Sequence, residues 1–126
     1  MSFRVLIVDD EPDVIELLSD TLQGAGYETI SATTFEEAKR LLSSPSPPDV
    51  LITDVRLGHY NGLQLVVIRP PTTGAVVVSG YWDRTLDEEA RRNGGVYLLK
   101  PVPAEQLLES VRLALERRAP PPAVAG

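Results

Sequence analysis

Arg4-Val5-Leu6-Ile7-Val8-Asp9-Asp10-Glu11-Pro12 passes from an unbroken apolar run to three acids and a proline. The run has no polar residue to alternate with. It therefore reads as a strand covered on both faces, the pattern of a parallel sheet. Asp10-Glu11-Pro12 is a helix start, with Pro12 suited to the first helical position and Asp10 expected to cap it. A strand handed directly to a helix is the opening of a βαβ unit, and the rest of the chain parses outward from it.

Five segments read as strands: Arg4–Asp9, Thr29–Ala32, Asp49–Asp54, Ala75–Gly80 and Val96–Lys100. Helices are expected between them. The first carries Val14, Ile15, Leu18 and Leu22 on one face and ends at Gly24 and Gly26. The second opens at Thr33-Thr34-Phe35-Glu36-Glu37, where each threonine has a glutamate three residues on, and places Ala38, Leu41 and Leu42 inward. A loop follows over Ser43–Pro48. The third helix runs from Asn61-Gly62 to about Arg69, before Pro70-Pro71. The fourth, from Asp83 to Asn93, has only Leu86 and Ala90 as an apolar stripe. The fifth, Ala104 to Arg118, is marked by Leu107, Leu108, Val111 and Leu115. Val67 and Leu113 fit a core at imperfect periodicity or an exposed dimer surface equally well.

This strict alternation of strand and helix predicts a three-layer α/β sandwich around a five-stranded parallel sheet, in the flavodoxin-like order 2-1-3-4-5. Residues 1–118 form one domain, and 119–126, with Pro120-Pro121-Pro122, read as a tail or the start of a linker. The 126 residues are 43% hydrophobic and 24% charged, ordinary values for a chain with its own core. A net charge of −6 argues against binding nucleic acid or anionic lipid. There is no cysteine, which excludes thiol catalysis and zinc–thiolate sites. No secretion signal or membrane-length apolar stretch is evident, so a soluble, cytoplasmic protein is expected.

Polar residues stand where the strands end: Asp9 and Asp10 after the first, Asp54 after the third, Ser79 after the fourth and Lys100 after the fifth. In a parallel sheet these ends share one edge. Bringing carboxylates together there is costly, because one like-charge pair at 4 Å opposes folding by about 4 kcal/mol at an effective dielectric of 20. A divalent cation and the Lys100 ammonium are the two available compensations. Oxygen-only ligands with room for water suit Mg²⁺. Such a socket would accept a phosphoryl group, with Asp54 as a carboxylate nucleophile and Ser79 as a hydrogen-bond donor to a phosphoryl oxygen.

These residues resemble the receiver domain of two-component response regulators over about residues 4 to 118. The resemblance rests on VLIVDDEP around Asp9 and Asp10, DVLITDVRL around Asp54 and Asn61-Gly62-Leu63. It also rests on VVVSG with Ser79 and on VYLLKPV with Tyr97, Lys100 and Pro101. Any one of these motifs is weak, and all in order are specific. The resemblance implies that Asp54 accepts phosphate from a sensor histidine kinase, a phosphotransfer protein or a small phosphodonor. It implies that Asp10 and Asp54 ligate Mg²⁺ with the Arg56 backbone carbonyl, and that Asp9 acts through water. Ser79 and Lys100 would hold the phosphoryl oxygens, and Ser79 and Tyr97 would switch the face formed by the fourth helix, fifth strand and fifth helix. The Lys100–Pro101 peptide is expected to be cis.

A phosphorylation-dependent switch of this kind is no enzyme beyond its own phosphorylation and slow dephosphorylation. Its expected partners are the kinase, an output domain or effector and a second copy of itself, with no direct contact to nucleic acid or membrane. Gly58, Gly80 and Gly94-Gly95 depart from the family pattern and add backbone freedom around the switch. Three other readings compete. A haloacid-dehalogenase-like phosphatase would need an acid where Arg56 stands. A flavodoxin-like cofactor binder would not place Asp9-Asp10-Glu11 against a phosphate. A receiver that only docks partners would lack pocket residues that are present here. His59 is expected to face solvent, Trp82 to be either a lid or a partner-facing aromatic, and Arg91-Arg92 and Arg117-Arg118 to be solvated charges at helix ends.

Overall fold

The computed structural model describes residues 2–122. Five strands alternate with five helices in chain order: β1 (Arg4–Val8), α1 (Pro12–Gly24), β2 (Glu28–Ala32), α2 (Phe35–Leu42), β3 (Val50–Asp54), α3 (Leu63–Ile68), β4 (Gly74–Ser79), α4 (Arg84–Arg92), β5 (Val96–Leu99) and α5 (Ala104–Arg117). All strand pairs of the main sheet are parallel, in the spatial order β2-β1-β3-β4-β5. This is the expected flavodoxin-like sandwich.

Successive side chains of a strand point to opposite faces, so a strand covered on both sides must be apolar throughout. Leu6, Val8, Leu51, Ala75 and Val77 pack on one face against Ala38 and Leu42 of α2, Leu65 and Val66 of α3 and Ala90 of α4. Val5, Ile7, Val50, Ile52, Val76 and Val78 pack on the other against Leu18 and Leu22 of α1 and Leu107, Val111 and Ala114 of α5. All six residues of β4 are buried. At about 1.5–3 kcal/mol per fully buried Val or Leu side chain, these two layers dominate the stability of the domain.

Thr34, not Thr33, caps α2, its Oγ1 accepting the Glu37 N–H at 3.2 Å. Asp10 does not cap α1. The N-cap position is Glu11, whose side chain makes no capping bond, and the Glu11 N–H goes instead to Asp9 Oδ1 at 2.9 Å. In α3, Leu65 and Val66 are buried, while Val67 is 60% exposed and so lies outside the core. Leu113 is half-buried. Helix α4 buries only Ala90. Among the described residues no helix is long and apolar enough to cross a membrane.

Between β3 and α3 the chain forms a two-residue hairpin, Arg56–Leu57 against Tyr60–Asn61, that the sequence reading does not contain. Gly58 sits at its tip with φ of 61°, as the first position of a tight two-residue turn of this hand requires. Its role is therefore to permit the turn, rather than to loosen a switch loop. Gly80, by contrast, has ordinary φ and open space around it.

At the amino edge of the sheet the polar groups are closely paired. Asp49 Oδ2 accepts the Arg4 N–H at 2.8 Å, and Arg118 Nη1 donates to Asp49 Oδ1 and to the Thr72 carbonyl, both at 3.2 Å. The Arg118 guanidinium also lies over the Phe3 ring, and the Ala119 N–H reaches the Pro71 carbonyl at 2.9 Å. Arg118 is thus no solvated helix-end charge. Its side chain is 11% exposed, because Asp49 offers a counter-charge at the end of the neighbouring loop. Of the expected tail, Ala119 is anchored in this way, Pro120–Pro122 are exposed, and 123–126 lie outside the described residues.

Candidate functional site

Register fixes which side chains meet at the carboxyl edge. Val8 pairs with Thr53, Asp54 with Val78 and Ser79 with Leu99. Asp9, Asp54, Ser79 and Lys100 therefore leave four adjacent strands at nearly one level. Asp9 is buried, Asp54 partly buried, Asp10 exposed, Ser79 buried and Lys100 partly buried. One carboxylate oxygen from each of Asp9, Asp10 and Asp54 falls within 4.8 Å of the others. Three hard oxygen donors so close, one of them open to solvent, fit a hard divalent cation with water completing its shell.

Opposite them stands one ammonium. Lys100 Nζ donates to Asp9 Oδ2 at 2.8 Å and lies 3.5 Å from Asp54 Oδ1. Burial works against the charge on Lys100, but the hydrogen bond to Asp9 and the charges of Asp54 and Asp9 outweigh it and hold its pKa above the ordinary 10.5. The stabilisation this amine provides is fully present below that value and is lost as pH rises through its folded-state pKa. The Asp54 pKa is raised as well, which for a carboxyl disfavours the charged form. Burial, reinforced by the Asp9 charge, raises its carboxyl above the usual 3.8, although Lys100 pulls it back. The cluster is short of positive charge.

Glu11, Asp54, Arg56, Ser79, Gly80, Tyr81 and Lys100 line a cavity of about 320 Å³ above this edge. Its walls include the side chains of Arg56 and Tyr81. The Arg56 guanidinium lies 5.2 Å from the centroid of the Tyr81 ring, so the hairpin and the loop after β4 meet across the cavity. Tyr81, not Trp82, lines the site. Trp82 is 57% exposed, and its indole N–H turns to Asp87 Oδ2 at 3.2 Å. His59 is exposed, as expected.

The floor is held by backbone contact. The Gly62 N–H donates to the Val55 carbonyl at 2.7 Å, and a Cβ at Gly62 would stand 1.9 Å from the Asp54 carbonyl oxygen. Only a residue without a side chain allows α3 to start this close to Asp54. On the far side, the Tyr97 ring packs partly into the core, and its hydroxyl donates to the Tyr81 carbonyl at 2.9 Å. The Tyr81 N–H in turn reaches Ser79 Oγ at 3.3 Å. Ser79, Tyr81 and Tyr97 are thereby linked by direct hydrogen bonds. The Lys100–Pro101 peptide is cis.

The structure thus brings Asp9, Asp10, Asp54, Ser79 and Lys100 into one neighbourhood and leaves Tyr97 two hydrogen bonds from Ser79, through Tyr81. What such a site can do chemically is bind a hard cation and an oxyanion together and expose a carboxylate to the oxyanion's centre.

Residues 5–112 match the family model described as the response regulator receiver domain. The response regulator protein PilR of Pseudomonas aeruginosa is 39% identical over 121 residues, covering 93% of this chain and 27% of its own length. The chain thus spans about a quarter of that relative. A Burkholderia pseudomallei response regulator, solved with a phosphorylated aspartic acid, a calcium ion and citrate, superposes with a TM-score of 0.78 at 25% identity. That superposition covers 87% of this chain and 66% of that one. The beryllofluoride-activated NtrC4 receiver domain, solved as a dimer in solution, superposes with a TM-score of 0.79 at 29% identity over 90% of this chain and 96% of that one.

Proposed function

The chain belongs to the response regulator receiver domain family, and from that premise we propose that it is a switch operated by phosphorylation of Asp54. One observation carries the proposal. Three carboxylates share a space of 4.8 Å against a single ammonium. That arrangement is poorly compensated by itself and well suited to a cation plus a phosphoryl group.

Asp10 and Asp54, with the Arg56 carbonyl, would hold Mg²⁺, and Asp9 would act through water while keeping its bond to Lys100. When bound, the ion neutralises the carboxylates and draws charge from the phosphoryl oxygens. An Asp54 carboxylate oxygen attacks phosphorus. The bond from phosphorus to the donor's leaving atom breaks, the leaving group takes the electron pair, and an acyl phosphate forms. Lys100 and the Ser79 hydroxyl bind the phosphoryl oxygens. The new phosphoryl group carries about −1.5 to −2 charge in place of the single carboxylate charge of Asp54, within reach of Ser79. Movement of Ser79 is passed to Tyr81 and Tyr97 through the hydrogen bonds described above, and so to the face of α4, β5 and α5.

The phosphodonor is a histidine kinase, a phosphotransfer protein or a small acyl phosphate. Beside Lys100, an apolar groove of about 310 Å³ is lined by Val14, Leu17, Leu18, Pro101 and Val102. Leu17 is 63% exposed there, which gives a donor protein an apolar footing next to the site. The switched face controls an output domain, an effector or a second copy of the chain; the beryllofluoride-activated NtrC4 receiver domain is itself a dimer. Asp54→Asn is expected to abolish Mg²⁺-dependent labelling by acetyl phosphate. Labelling of that variant to the wild-type level would defeat the assignment.

A further inference from the structure

Arg69 follows α3 directly, and its guanidinium makes three hydrogen bonds to main-chain carbonyls. The Thr73 oxygen lies at 2.7 Å, the Val66 oxygen at 2.6 Å and the Asn93 oxygen at 2.9 Å. Among the described residues no carboxylate pairs with it. Burial alone pulls its pKa down. Val66 lies in the last turns of α3, and Asn93 is the C-cap of α4. One partly buried cation thus sits on the carbonyl ends of two helices, where the backbone dipoles are negative. The planar guanidinium reaches the three carbonyls from three separate nitrogens, where an ammonium would have to reach them all from one.

The two ends of α4 are held unequally. At its carboxyl end the Asn93 amide and side chain both return to the Glu89 carbonyl, and the Gly94 and Gly95 N–H groups reach the Arg91 and Ala90 carbonyls. The one buried residue of the helix, Ala90, lies at this end. At the amino end, Asp83 caps Leu86 and the Trp82 indole reaches Asp87, both bonds local to the loop and first turns, and Leu86 packs against the core only partly buried. The bond found there to another element is the exposed one from the Tyr97 hydroxyl to the Tyr81 carbonyl.

We infer that Arg69 makes the carboxyl end of α4 a fixed pivot, so that a disturbance at Ser79 swings the amino end of the helix and leaves residues 90–95 in place. The inference rests on the proposed phosphorylation of Asp54 for its trigger, though the pivot itself is a property of the unmodified chain. Arg69 touches no reacting group and is a positioning residue.

Amide hydrogen exchange on the full 126-residue chain, with and without beryllofluoride and Mg²⁺, tests it. In the wild type, beryllofluoride is expected to alter exchange at residues 80–87 and to leave 90–95 unchanged. In Arg69→Gln, exchange at 90–95 rises about tenfold or more in the free protein, and the beryllofluoride response spreads to that segment. Arg69→Lys keeps the charge and is expected to fall between the two. Equal responses at both ends of α4 in the wild type would overturn the pivot. So would an increase in Arg69→Gln as large in β1 and β3 as at 90–95, which would make Arg69 ordinary packing. Should Arg69→Gln fail to fold, the wild-type gradient and Arg69→Lys decide. Should beryllofluoride change nothing anywhere in the wild type, the phosphorylation reading fails, and the free-protein comparison still decides the pivot.

Discussion

The two edges of the sheet solve opposite electrostatic problems. At the amino edge, Asp49 meets the Arg4 amide and the Arg118 guanidinium, and the buried Thr73 hydroxyl donates to the Pro48 carbonyl at 2.7 Å. At the carboxyl edge, three carboxylates face Lys100, and Asp54 is held above its ordinary pKa by burial. One edge is closed with its polar groups paired. The other is left short of positive charge and open as a cavity. Stability is concentrated where nothing needs to bind, and the unfavourable charge is confined to the place where a ligand can relieve it.

Each edge also holds a glycine pressed against a carbonyl, and this gives the sharpest way to separate them. A Cβ at Gly62 would lie 1.9 Å from the Asp54 oxygen, and one at Gly74 would lie 2.4 Å from the Ala114 oxygen. Gly62→Ala should destabilise the fold by about 3 kcal/mol or more and displace Asp54, so that the fraction remaining folded labels slowly with acetyl phosphate. Gly74→Ala should lower stability by about 2–3 kcal/mol while its folded fraction labels at the wild-type rate. Urea denaturation combined with labelling rates distinguishes the two. Normal labelling by folded Gly62→Ala would erase the contrast between the edges.

Arg118→Ala is the next largest test. Loss of a charge-assisted contact to Asp49 should cost about 2 kcal/mol in urea denaturation, with the labelling rate unchanged. A slowed rate would mean that the closed edge also shapes the site.

The smallest effect concerns Asp54 itself. Because its folded-state pKa is raised, its ionisation opposes folding at neutral pH, and that penalty fades as the pH falls through the folded-state value toward 3.8. Asp54→Asn lacks the penalty. Its melting temperature should exceed that of the wild type in neutral, metal-free buffer, and the gap should close in mildly acidic buffer. A gap that widens on acidification would mean that Lys100, rather than burial, governs this carboxyl.

Much of this was legible in the residues. Runs such as Val5–Val8 and Val76–Val78 are apolar because both faces of the sheet are covered, and their polar ends name the site directly. The hairpin at Arg56–Asn61 was not legible, since strands of two residues have no period to detect. Its signal was Gly58 between Leu57 and Tyr60, which reads as a substitution until the turn is seen. The arginine clamps were also hidden. Arg69 and Arg118 stand at helix ends, where solvated charge is the simplest expectation, and only the tertiary arrangement supplies Asn93 and Asp49 as partners. Asp9 and Asp10 were both legible as acids, but which one turns inward depends on Lys100, ninety-one residues from Asp9.

Trp82 is the sole tryptophan, and the chain contains no cysteine. The indole stands in the segment joining Ser79 to α4, more than half open to solvent and hydrogen-bonded to a carboxylate. The protein therefore carries an intrinsic fluorophore beside its site, with no competing indole emission from elsewhere. A single engineered thiol at the far end of α4 would take a dye or nitroxide without background, turning one helix into a ruler read from both ends.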